Sequence, residues 1–267
     1  DRDSKIEALQ DELEVNLELL GTTGVEDKLQ DNVPDALRSL RAAGIVVWVL
    51  TGDKVETAVN IGHASSLLTT EMTLQYYTTG PECKELSRGY DETVLRKRLE
   101  AHILEAKESV NDVYGVVVDT TVLASLFEFG LTDLFLQLAE NATSLICARV
   151  SPSQKADVVR MMRAKHTDVV TLAIGDGAND VPMIQAAHVG IGISGNEGLQ
   201  AVNASDFAIA RFRFLKRLLL VHGRLNARRV GNTGPYMFYK NILQTLPQFY
   251  FGFVSLFSGQ NFYYELL

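Results

Sequence analysis

A doubly wound parallel α/β sheet followed by the start of a transmembrane α-helix is the architecture predicted for this chain of 267 residues. Short β-branched runs alternate with helical patterns, two of those runs end in glycine-containing polar turns, and an aromatic and aliphatic segment comes late in the chain. Alternation of buried strands and helices implies a parallel sheet covered on both faces.

In chain order, Asn16 to Leu20 form a short apolar alternation before a Gly-Thr-Thr-Gly turn, and Val33 to Ala43 have helical spacing. Ile45 to Leu50 is continuously β-branched and aromatic between Gly44 and Gly52, as a buried parallel strand should be. Tyr114 to Val118, Ser144 to Cys147, Val169 to Ile174 and Val189 to Ile193 are further apolar runs, with helical patterns at Leu131 to Glu140 and Pro152 to Ala164. Ser151-Pro152-Ser153-Gln154 is a capping-box pattern with proline at the first helical position. Thr70 to Asn111 is polar and irregular and predicts an insertion outside the sheet, carrying one amphipathic helix over Glu92 to Glu108. No internal repeat is visible.

The net charge of −8 argues against general nucleic-acid binding, which needs a basic surface. The sign is unevenly spread. No acidic residue occurs between Asp206 and Glu265, while Arg211, Arg213, Lys216, Arg217, Arg224, Arg228 and Arg229 crowd that interval. Cys83 and Cys147 lack metal-ligand spacing, and a reducing cytosolic environment is expected. Asp1 to Asp11 has no apolar signal core. The absence of an initiator Met and the apolar tail suggest a piece of a longer protein.

Gly234 to Phe257 is about the ~20 residues that span a bilayer core as a helix. The alternative is a buried helix of a soluble protein; the preceding basic stretch favours the membrane, because Lys and Arg gather on the cytoplasmic side of a span. Lys240, Asn241, Gln244, Thr245 and Gln248 fall on one side of such a helix and should face protein or a hydrated path. Pro247 should break or kink it.

Ligands of open α/β sheets sit beyond the carboxyl ends of the strands. Two ends stand out here: Thr51-Gly52-Asp53-Lys54, and Gly175-Asp176-Gly177-Ala178-Asn179-Asp180. Each leads through glycine into a helix, aiming backbone N–H groups at one crevice. Alone, Thr51-Gly52-Asp53 also fits an ordinary turn, Lys155 a surface lysine, and Asp180 a helix cap. Asp176 and Asp180 together would repel unless a cation or donor compensates, and Mg²⁺ binds one or two carboxylates plus phosphate oxygens. Lys155, on the helix after a strand ending at Val150, lies on the same edge. Hydroxyl and amide cradle, lysine and magnesium carboxylates describe a phosphoryl-transfer site.

With these motifs in this order, the sequence resembles the haloacid-dehalogenase-like superfamily, with its Rossmann-type sheet, and within it the P-type ATPases. Thr51-Gly52-Asp53 matches their second motif, Lys155 the third, and Gly175 to Asp180 with Met183 the fourth. The runs Ile193 to Asp206, Phe212 to Gly223 and Glu26 to Gln30 resemble the phospholipid flippases, the type IV members. The resemblance covers most of the chain and is weakest between Thr70 and Asn111.

It implies an ATP-driven, Mg²⁺-dependent phospholipid transporter working through an aspartyl phosphate, with ATP as substrate. Residues 1–230 would be a partial, cytosolic phosphorylation domain, and residues 231–267 a membrane segment resembling the fifth transmembrane helix. Thr51 and Gly52 would contact the phosphoryl group and Lys155 neutralise it. Asp176 and Asp180 are the metal-side carboxylates, Asp176 holding Mg²⁺ while Asn179 and Asp180 order the loop and its water ligands. Asp27 would lie at the hinge toward a nucleotide domain and Asp53 near the nucleotide; Lys240 and Asn241 would line the lipid path. The resemblance also implies an endomembrane or plasma-membrane location and a glycosylated accessory subunit.

The family's nucleophile, an Asp in Asp-Lys-Thr-Gly-Thr, does not occur in the sequence, so the fragment alone is expected to be inactive. Asp119-Thr120-Thr121 superficially resembles the nucleophile strand of soluble relatives but reads better as a surface turn. A soluble phosphatase using Asp119 and a truncated nonenzymatic remnant are the competing expectations.

Overall fold

The structure, a computed structural model, describes residues 28–108, 113–195 and 198–258 together with Glu18, Leu20 and Gly21. Asp27 and positions 16, 17 and 19 of the early alternation lie outside the described residues.

The elements in order are α1 (Val33–Ala42), β1 (Trp48–Leu50), α2 (Val55–Ala64), β2 (Thr73–Tyr77), α3 (Glu92–Glu108), β3 (Tyr114–Asp119), α4 (Thr120–Glu128), α5 (Thr132–Asn141), β4 (Ser144–Ala148) and α6 (Pro152–Lys165). After these come β5 (Leu172–Gly175), α7 (Val181–Ala186), β6 (Val189–Ile193), α8 (Gln200–Asn203), β7 (Phe207–Ile209), α9 (Phe214–Arg217) and α10 (Arg224–Val254). All ladders are parallel. They form a four-stranded sheet, β1-β4-β3-β2, and a three-stranded sheet, β5-β6-β7.

Side chains alternate across a strand, and the larger sheet uses that period to feed two cores. Val116, Val118, Leu145 and Cys147 enter one, closed by Leu95 and Leu99 of α3, Leu123 and Leu126 of α4, Phe135 of α5 and Val158 of α6. Val117, Ile146 and Ala148 point the other way, against Val55 and Ala58 of α2 and Leu67, Leu68 and Met72. A third core joins Leu40 of α1, Ile191 of β6 and Leu215 of α9.

Two helices tie the sheets together. Leu40 of α1 packs in the third core while its neighbour Arg41 donates to the carbonyls of Ser66 and Leu67, beside the second core. On the other side, α6 gives Val158 and Met161 to the first core and Arg163 to the carbonyl of Ala186 in α7. Among the described residues β1 is laddered only to β4, and β5 only to β6, so each has one unpaired edge. Both strands are half-buried where β3 and β4 are fully buried.

Several expectations need correcting. The runs Ile45 to Leu50 and Val169 to Ile174 form strands only at their carboxyl ends, because 45–47 and 169–171 have no ladder among the described residues. The Thr70 to Asn111 stretch is not wholly outside the sheet: its Thr73–Tyr77 pairs with β3 as a parallel edge strand, and only the helix from Glu92 to Glu108 is as expected. Asp119 is not in a surface turn; it is 5% exposed and caps α4, accepting from Val122 N. The chain also divides into two ladders where one sheet was expected.

Beyond β7, α9 passes through a π-helical turn at Leu218–Gly223 into α10, which has 31 residues and is exposed along almost its whole length. At 1.5 Å per residue it is about 46 Å long. It continues through Pro235 and Pro247, so Pro247 does not break it, although each proline removes a backbone donor and crowds the carbonyl four residues before it. Among the described residues no helix is long and apolar enough to cross a membrane. Lys240, Asn241, Gln244 and Gln248 dilute the aromatic run.

Candidate active site

The carboxyl end of β1 continues as hydrogen bonds past the last strand residue. Thr51 N donates to Cys147 O at 2.9 Å, Val150 N to Thr51 O at 3.0 Å, and Arg149 N to Asp53 O at 2.9 Å. The Thr51-Gly52-Asp53 turn is thereby fastened to the segment that leads from β4 into α6. Within the turn, Thr51 Oγ1 donates to Asp53 Oδ2 at 2.8 Å and accepts from Asp53 N at 3.1 Å. Gly52 and Asp53 are exposed.

The start of α6 is fixed by the capping box read from the sequence. Ser151 Oγ accepts from Gln154 N, and Gln154 Oε1 accepts from Ser151 N at 2.9 Å. The same Gln154 also grips the turn after β3: Thr120 Oγ1 donates to its Oε1 at 2.8 Å, and its Nε2 donates to Thr120 O at 3.3 Å. Lys155 is next, on a helix turn that is thus held at both strand ends.

Lys155 is buried, and its Nζ lies 2.8 Å from Asp180 Oδ1, with the two side chains 10% and 15% exposed. Removing one partner of such a shielded pair costs about 3–5 kcal/mol, because the other charge is left uncompensated. Asp180 closes the 3₁₀ turn Ala178–Asp180 after β5 and folds back over the strand end. A Cβ on Gly175 would come within 2.2 Å of Asp180 Cβ, so only glycine admits this approach. Asp176 and Asn179 are exposed on the same turn.

The structure therefore joins Lys155 to Asp180 directly, and Thr51 to the entry of α6 through Val150. Gly52, Asp53, Asp176 and Asn179 occupy the loops so connected. Asp27 lies outside the described residues, and Lys240 and Asn241 stand exposed on α10. Gln154 and Thr120 were not expected as site residues. Their sequence signal was a capping box, and its second use emerges only when β3 and β4 lie side by side.

Asp119 is engaged in holding the fold. Its Oδ2 accepts from Thr79 N at 2.6 Å and Thr79 Oγ1 at 2.8 Å, and its Oδ1 accepts from Val122 N at 2.8 Å. A buried carboxylate that accepts three hydrogen bonds has its charge stabilised and is a weak nucleophile.

For a metal, no group of three His, Cys, Asp or Glu side chains is placed to hold an ion among the described residues. Asp180 spends an oxygen on Lys155, while Asp176 is exposed and has no ion-pair partner among the described residues. That donor set fits Mg²⁺, which binds through one or two carboxylates and substrate phosphate oxygens; it does not fit a cation caged by protein alone.

Known proteins are similar to nearly the whole chain. The phospholipid-transporting ATPase C887.12 of Schizosaccharomyces pombe is 47% identical over 260 residues, 97% of this chain and 20% of that protein. The family model described as Phospholipid-translocating P-type ATPase C-terminal matches residues 202–267. This chain belongs to that ATPase family. The probable phospholipid-transporting ATPase IM of Homo sapiens is 43% identical over 98% of the chain and 23% of its own length, and the probable phospholipid-transporting ATPase 7 of Arabidopsis thaliana 46% over 98% and 21%. The chain thus spans about a fifth of the length of these relatives.

Proposed function

We propose that this chain is the larger part of the phosphorylation domain of an ATP-driven phospholipid flippase, with the nucleophilic aspartate on a segment of the parent outside residues 1–267. The observation that carries it is the Lys155–Asp180 pair, hydrogen-bonded through the α6 entry to the Thr51 turn, at the carboxyl ends of β1, β4 and β5. A phosphoryl group bound there would meet the Thr51 hydroxyl, the Gly52 backbone and the Lys155 ammonium. Asp180 holds Lys155 in place, and Asn179 orders the turn. Mg²⁺, when bound beside Asp176, would offset charge on the phosphoryl oxygens.

The unpaired edges support a nucleophile from elsewhere in the parent. One further apolar strand laddered to both β1 and β5, between α1 and α6, would merge the two sheets. Its carboxyl end would reach the Thr51, Lys155 and Asp180 loops, where an attacking carboxylate has to lie. The exposed apolar length of α10, from Gly234 onward, is read as the beginning of a membrane helix, with Lys240 and Asn241 on the lipid route. On this reading residues 1–230 face the cytosol of an endomembrane or the plasma membrane.

In the full-length parent, Asp176→Asn should abolish incorporation of acid-stable label from ATP, while the protein still reaches the membrane. Undiminished labelling would contradict the role of Asp176. The soluble-phosphatase alternative gains no support, because Asp119 is used up in capping α4 and holding Thr79.

A further inference from the structure

The interval between Asp206 and Glu265 holds seven Lys and Arg residues before its aromatic part and no carboxylate. Lys216 finds Asp35, 3.0 Å away on α1. Arg217, Arg224, Arg228 and Arg229 are exposed and have no carboxylate partner among the described residues. Arg224 and Arg228 stand four apart on α10, so they are neighbours on one face, and like charges at that spacing destabilise a helix. An anion beside the pair would relieve that repulsion.

The residues farther along the same helix indicate which anion. Arg228 precedes Gly234 by about 9 Å of helix rise, close to the ~8 Å Debye length at physiological ionic strength. Next come Tyr236 and Tyr239, 64% and 61% exposed, and then Phe249, Tyr250 and Phe253, all exposed. Guanidinium groups, then tyrosines, then hydrocarbon is the order of groups across a membrane boundary, where Tyr gathers at headgroup level. Basic clusters immediately beside a membrane helix attract anionic lipid.

We infer that Arg224, Arg228 and Arg229 form a clamp for the phosphate groups of anionic phospholipids on the cytosolic leaflet, separate from the transported lipid's route at Lys240 and Asn241. This rests on the reading of α10 as a helix entering the membrane. The clamp would hold the base of the phosphorylation domain at the membrane surface, and it would give Arg224 and Arg228 a counter-ion that the described residues do not provide.

The test uses the full-length parent in vesicles of phosphatidylcholine with a minority of phosphatidylglycerol. A photo-crosslinking residue replaces Val230, an exposed position beside the arginines. The share of crosslinks to phosphatidylglycerol should exceed its share of the bilayer and fall at high salt. Each arginine replaced by alanine should lower the odds of crosslinking phosphatidylglycerol over phosphatidylcholine, up to about fivefold. The Arg224→Lys, Arg228→Lys, Arg229→Lys triple variant should retain most of it, since the field is mainly that of point charges. Equal crosslinking in the parent and the triple alanine variant would overturn the clamp. So would loss of the enrichment on adding millimolar inorganic phosphate at constant ionic strength, which would assign the site to a soluble anion. Equal reaction of single cysteines placed at Val230 and at Tyr250 with a water-soluble maleimide would instead overturn the reading of α10 as a membrane helix, and the clamp with it.

Discussion

Lys155 owes its position to its neighbour. Gln154 makes the reciprocal bond of the capping box and two further bonds to Thr120, so one side chain fastens the start of α6 to the end of β3. Gln154→Ala removes all three of its side-chain bonds at a cost of about 0.5–1.5 kcal/mol each at most. Phosphorylation of the parent by ATP should fall, with Gln154→Glu, which retains the acceptor oxygens, falling less; equal loss in both would show that acceptance by Oε1 is irrelevant. The Thr51 and Asp176 turns stood out in the sequence through their combination and order, since Thr51-Gly52-Asp53 alone also fits an ordinary turn. The pairing of Lys155 with Asp180 was not legible, since 25 positions separate them and the spacing carries no geometry. Asp119, read from the sequence as a surface turn, is buried instead for a similar reason: Thr79, remote in sequence, donates to it.

At the level of elements, α3 is held by a polar contact inside an apolar face. Tyr77 Oη at the end of β2 lies 2.7 Å from His102 Nδ1, the rings meet edge to face, and Arg98 lies over the tyrosine ring. Burial, followed by the Arg98 charge, lowers the pKa of His102 below its usual 6.5. The unfolded chain therefore takes up a proton at a higher pH than the folded one. Stability from this group is complete above 6.5 and declines as pH falls from there toward the lowered value. Urea unfolding of this region, followed by hydrogen exchange at Leu95 and Leu99 in the parent, should occur at lower denaturant at pH 5.5 than at pH 7.5. His102→Gln should flatten that difference; an unchanged slope would refute the assignment. The helix itself was readable from Glu92 to Glu108 because leucines recur on one face, whereas β2 was missed. Thr73–Tyr77 is short and polar on its outer side, and only its ladder to β3 makes it a strand.

For the whole molecule, the division into two parallel sheets is the feature with the largest consequence. Trp48, the single tryptophan, sits in β1 with its Nε1 buried and unpartnered among the described residues. A strand from the parent laddered to β1 and β5 should protect the amides of 48–50 and 172–174 from exchange. Comparison of the full-length parent with a form deleted for its nucleophile segment measures this; equal exchange in both would show that the edges stay unpaired. By itself the sequence determined the α/β class, the order of most strands and helices, and the residue types of the Thr51 and Asp176 loops. Those features are local, arising from side-chain periodicity, glycine and cap chemistry. Only the tertiary structure decided which loops converge, which carboxylate Lys155 takes, and which strands lack a neighbour. Each of these depends on contacts between residues far apart along the chain, where entropy of closure leaves no mark on sequence spacing.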